Sequence, residues 1–162
     1  MAAAGWPVGF RIDQVGIVVR DLERSLHEYR ARHGWGPWSI YEYEPPRLRH
    51  VMLRGEPSAF TYLGAEVDVA GTGIELIQPL TGPGPYQEWL DEHGEGPHHV
   101  GHAAASMEEA DAIRESYATL GVGVLTSGWF DEVFYYYLET APVILEVWAG
   151  AMDSVVAARV YP

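Results

Sequence analysis

Apolar residues recur along this chain with two periods, and the places where one period gives way to the other predict its elements. Ile12–Val19 (IDQVGIVV) is rich in β-branched residues and predicts a strand. Asp21 follows as a helix N-cap, Leu22, Leu26 and Tyr29 form a stripe at helical spacing, and Gly34 ends the helix. Residues 34–59 mix aromatics with Pro and Gly and predict an irregular strand and loops. Phe60–Val69 and Gly73–Gln78 predict two strands joined by a Gly-rich turn. After Pro79, Pro83 and Pro85 a short helix is expected over Tyr86–Glu92. The pattern then restarts. His99–Ala104 predicts a strand, and Ser106 with Glu109 a capping box. Ala110, Ile113, Tyr117 and Leu120 make the helix stripe that Gly121 closes, and Val122–Thr126, Val133–Leu138 and Val143–Trp148 predict three more strands.

The restart has the form of a repeat. Gln14-Val15-Gly16 aligns with His99-Val100-Gly101, and Asp21 with Ser106, so each half runs strand, helix, three strands. The expected organisation is an α+β chain of two tandem βαβββ modules. A lead-in covers residues 1–10, the first module 11–78, a linker with a short helix 79–97, the second module 98–149, and a tail 150–162.

Composition narrows the chemistry. The 162 residues include no cysteine, which removes disulfides and thiolate catalysis. A net charge of −13 argues against nucleic-acid or anionic-membrane partners. All ten basic residues are arginine, so Schiff-base chemistry on lysine is excluded. No run approaches the roughly 18 apolar residues of a membrane span, and a cytoplasmic location is expected.

The repeat also aligns polar intruders. Glu75 in GIELI and Glu146 in VILEVW each put one carboxylate inside an apolar strand, where it needs solvent, a cation or a metal. Strand alternation places Gln14 on one face with Gly16 and Val18, and His99 with Gly101 and Ala103. His98 and His102 are expected on the opposite face, as packing or surface residues. The aromatics Trp35, Trp38, Tyr136 and Trp148 are candidates for the wall of a pocket that takes a bulky, partly apolar small molecule. Arg47, Arg49 and Arg54 are the only dense basic cluster, either a mouth for an anionic carrier or a solvated loop.

With the duplicated βαβββ order, the two strand glutamates and the phrases IELIQPL and GPHHVGH, residues 11–149 resemble the vicinal oxygen chelate superfamily. Its members include glyoxalase I, methylmalonyl-CoA epimerase, extradiol dioxygenases and bleomycin-resistance proteins. The resemblance implies a cupped mixed sheet around one divalent ion (Co, Ni, Mn, Zn or Fe(II)) held by Gln14, Glu75, His99 and Glu146. Gln14 stands where the epimerases often have His, and a Gln there is equally able to hydrogen-bond a ligand. The Gln, Glu, His, Glu set is instead one seen among glyoxalase I enzymes. Implied with it is an isomerase, epimerase or lyase that removes a proton next to a carbonyl through an enolate, with Glu146 or, less directly, Glu56 as base, working as a homodimer. Glyoxalase I proper and a metal-free binding protein of the same fold are the alternatives.

Overall fold

Two helices each pack on one outer face of a sheet, and the largest apolar cluster fills the inner face. The structure is a computed structural model describing residues 11–162, so the expected lead-in over 1–10 lies outside the described residues. In the first half β1 (Gln14–Val18) and α1 (Leu22–His33) are followed by β2 (Trp38–Tyr43), β5 (Thr61–Val69) and β6 (Thr72–Thr81). Between β2 and β5 lie β3 (Leu48–Leu53) and the two-residue β4 (Glu56–Pro57). Helix α2 (Pro85–His93) then leads to the second half: β7 (Gly96–Ala103), α3 (Met107–Thr119), β8 (Val124–Phe130), β9 (Val133–Leu138) and β10 (Ile144–Ala149).

The caps are where the sequence puts them. Asp21 accepts from the Arg24 amide at 3.0 Å, Gly34 closes α1 at φ 70°, and Ser106 accepts from the Glu109 amide at 3.2 Å.

All strands join one mixed sheet in the order β11-β2-β5-β6-β1-β7-β10-β9-β8-β3-β4, with β11 spanning Arg159–Tyr161. The halves meet where β1 pairs antiparallel with β7, while β1 with β6 and β7 with β10 are parallel. Alternation divides the apolar side chains into three cores. Leu22 and Leu26 of α1 pack on Trp38, Ile40, Ala65 and Leu76 on one outer face. Ala110 and Ile113 of α3 pack on Tyr136, Leu138, Leu145 and Val147 on the other. The inner face of the cup carries the third, which includes Tyr43, Tyr62, Phe130, Tyr135 and Tyr137 and closes against Tyr86 and Leu90 of α2.

Three segments differ from expectation. The Pro- and Gly-rich stretch yields regular strands, and β3 leaves its own half to pair with β8 of the other. Strand β6 continues through Thr81 past Pro79, with an irregularity at Thr61/Tyr62 on the facing strand that absorbs the proline. The tail is not loose either: β11 adds to the edge of β2, and the Ala158 amide donates to the Ile40 carbonyl at 2.8 Å.

Candidate metal centre

The four central strands β6, β1, β7 and β10 present two short polar rows to the inside of the cup. In one row Gly16 of β1 is flanked by Glu75 of β6 and His99 of β7. In the other, Gly101 of β7 is flanked by Gln14 of β1 and Glu146 of β10. The glycines make this possible by close approach. A Cβ on Gly16 would overlap the His99 imidazole, and one on Gly101 would meet the Trp148 ring and Glu146 Oε2.

From these rows the polar atoms converge on Nε2 of His99. Glu146 Oε2 lies at 3.2 Å, Gln14 Oε1 at 3.4 Å and Glu75 Oε2 at 3.7 Å. One ligand atom from each of Glu75, His99 and Glu146 fits within a 4.8 Å span, and all three residues are buried. Neither glutamate pairs with arginine. Two carboxylates so close together in a buried place need a cation or a proton. Burial first, then Glu66 and Glu146, holds the Glu75 carboxyl well above the usual carboxylate range. A divalent ion fits this donor set, because it would supply the missing positive charge.

His98 is not on the outer face. A β-bulge opposite Gly16/Ile17 sets His99 against Gly16 and Pro97 against Ile17, leaving His98 as the extra residue and interrupting the alternation. Its ring packs between Tyr86, Trp89 and Tyr137, and its Nδ1 lies 3.0 Å from His99 Nδ1. Burial, reinforced by His99 and His93, lowers its pKa well below the ordinary histidine value, so it stays neutral. The contact orients the His99 ring with Nε2 toward the carboxylates. His102 is buried on the α3 side, with Nδ1 3.0 Å from the Arg11 carbonyl oxygen.

Above these residues a cavity of about 280 Å³ opens, walled by Tyr43, Tyr62, Phe130, Tyr135, Tyr137 and Trp148. Of the four aromatics expected there, only Trp148 lines it. Trp38 is fully buried in the outer core against α1, where Trp35 joins it, and the Tyr136 hydroxyl donates to the Ala110 carbonyl in the α3 core. Register explains the shift: Tyr137 pairs with Glu146 and Tyr135 with Trp148, whereas Tyr136 pairs with Val147 on the other face. Alternation around Glu146 would have found Tyr135 and Tyr137 once the β9–β10 hairpin was assumed. Glu56 does not reach the cavity. It sits exposed in β4 at the far edge of the sheet.

Glu66 escaped the sequence reading. It pairs with Glu75 across β5 and β6, lines the cavity, and has the Tyr43 hydroxyl 3.5 Å from its Oε1. Burial, with Glu146 adding, raises its pKa to about 7, against a lowering contribution from Tyr43. Glu66 opposite Glu75, with Gly64 two residues before it on the same face, is the signal that could have exposed it.

Among comparisons with known proteins, the family model of the glyoxalase/bleomycin resistance protein/dioxygenase superfamily matches residues 13–136. No curated protein sequence matches the chain. A hypothetical protein from Bacillus halodurans C-125 superposes with a TM-score of 0.64 at 20% identity, over 91% of this chain and 99% of that one. Methylmalonyl-CoA epimerase from Mycobacterium tuberculosis gives 0.58 at 20% identity, over 94% and 95%. A methylmalonyl-CoA epimerase in complex with methylmalonyl-CoA and NH4+ gives 0.57 at 22% identity, over 88% and 96%. At these identities the likeness is one of fold.

Proposed function

The chain belongs to the glyoxalase/bleomycin resistance protein/dioxygenase superfamily, and from that premise we propose that it is a metal-dependent isomerase, epimerase or lyase, transferring a proton next to a carbonyl of a bulky, partly apolar small molecule. The observation that carries this is the convergence of Gln14, Glu75 and Glu146 oxygens on His99 Nε2 beneath an aromatic cavity. Three oxygens and one imidazole suit an octahedral Mn, Co, Ni, Fe(II) or Zn ion with two positions left over. Gln14, Glu75, His99 and Glu146 would hold such an ion, whose chemistry there would be Lewis acidity toward a substrate oxygen.

The protein's own residues divide the remaining work. His98 fixes the His99 ring through the Nδ1 contact, and the tyrosine and tryptophan walls exclude water and hold the apolar part of the substrate. Glu146 is assigned as proton acceptor, since its carboxylate borders both the donor set and the cavity, whereas Glu56 borders neither. A homodimer in the cytoplasm is part of the same proposal, and sedimentation would test the assembly.

Metal analysis of the purified protein is the decisive experiment. About one divalent ion per chain is expected, lost in His99→Ala with the fold retained by circular dichroism. A wild type that is metal-free and takes up none of Co, Ni, Mn or Zn would make this a binding protein instead. Glutathione-dependent turnover of methylglyoxal would assign it to the glyoxalase I branch.

A further inference from the structure

The cavity is acidic in a way its aromatic walls hide. Asp13, Glu66, Glu75 and Glu146 line it, and no basic side chain does among the described residues. One divalent ion offsets two of these charges. The arginines that touch lining residues are already committed. Arg11 pairs with Asp13 at 2.5 Å, and Arg47, lying over the Phe130 ring, forks onto Asp131 at 2.6–3.1 Å. Arg49 and Arg54, the rest of the basic cluster, pair with Glu132 and with Glu88 and Glu139. Among the described residues no arginine lines the cavity, and the whole chain repels anions at a net charge of −13.

The wall itself is apolar: six aromatic rings, those of Tyr43, Tyr62, Phe130, Tyr135, Tyr137 and Trp148, match an aromatic body on the ligand.

We propose that this site takes an uncharged or cationic aromatic small molecule and discriminates against anionic carriers such as acyl-CoA or glutathione conjugates, with Glu66 as the discriminating side chain. Glu66 has this role because it lines the cavity and is not one of the three residues whose ligand atoms cluster around His99. The proposal rests on the metal-centre reading above and names its substrate class.

The test uses the full chain loaded with cobalt at pH 8. Its visible spectrum reports binding of three chelating probes: benzohydroxamate, its 4-aminomethyl cation and its 4-carboxylate anion. The neutral and cationic probes are expected to bind at least about tenfold tighter than the anion, a gap of about 1.4 kcal/mol. Raising the ionic strength should narrow that gap, as should Glu66→Gln at unchanged cobalt stoichiometry. Equal or tighter binding of the anion overturns the proposal, and so does a gap that neither salt nor Glu66→Gln alters. The salt titration decides on wild-type protein alone should the variant fail to fold. A chain that takes up no cobalt removes the metal-centre reading itself, which is a separate outcome.

Discussion

At the scale of single residues, the site depends on atoms that are missing. Gly16 and Gly101 carry no side chain at the two points where the ligand rows cross the sheet, and the His99 ring occupies the space a Gly16 Cβ would fill. Gly16→Ala should therefore push the imidazole off its position, costing about 1–3 kcal/mol of stability by overpacking. Cobalt affinity is expected to fall at least tenfold. Gly123→Ala, where the new methyl meets only Glu139 Oε2 at 3.6 Å, is the control. Urea denaturation and cobalt titration of both variants read the result, and wild-type affinity in Gly16→Ala would sink the account. The candidate ligands were legible in sequence because a Glu amid β-branched residues is conspicuous. Glu66 was not, since the sequence offers the Phe60–Val69 and Gly73–Gln78 hairpin but not the register that sets Glu66 against Glu75. His98 was misplaced for a related reason: a bulge depends on the partner strand, and its own sequence shows only regular alternation.

At the scale of elements, the caps and most of the helix stripes read correctly because they are local; Leu120, expected in the second stripe, lies past the end of α3 and is exposed. What sequence could not show is the crossing of β3 to the other half. That excursion is pinned by the Arg47–Asp131 fork, which joins the segment before β3 to the β8–β9 turn beside Phe130. Both partners are about a third exposed, so Asp131→Asn should cost no more than about 1 kcal/mol of stability. Its larger effect is electrostatic. It frees the Arg47 charge next to a cavity wall, and the anionic hydroxamate is expected to gain several-fold in affinity relative to the neutral one. Unchanged discrimination together with a large loss of stability would mean that the fork serves only to hold β3. The aromatic wall follows the same logic of pairing. YYY in β9 puts Tyr135 and Tyr137 into the cavity and Tyr136 into the helix core, a division that single-strand composition cannot assign until β10 fixes which face is which.

At the scale of the whole molecule, the duplicated halves meet at β1 and β7 and bring carboxylates from distant parts of the chain into one buried place, a cost that folding alone bears when no ion is present. The sign of the resulting pH dependence follows from the raised pKa values. Glu75 lies well above the usual carboxylate range and Glu66 near 7, so the metal-free folded chain holds protons that the unfolded chain has released. Where the folded state binds more protons, stability falls as pH rises. His98 works oppositely: its lowered pKa costs stability only below the ordinary histidine value of about 6.5, where the unfolded chain takes up a proton. The window free of that opposition is pH 6.5–8, and there the metal-free Tm should decrease with pH. General repulsion at a charge of −13 pulls the same way, so Glu66→Gln is the control and should flatten the slope without abolishing it. Cobalt must expel the proton held by Glu75 to bind, which predicts proton release on uptake and an affinity that rises with pH. Calorimetry in buffers of different ionisation enthalpy measures that release. A metal-free Tm that climbs across pH 6.5–8, or metal uptake without proton release, would show that the buried carboxylates are already ionised and that some other cation balances them.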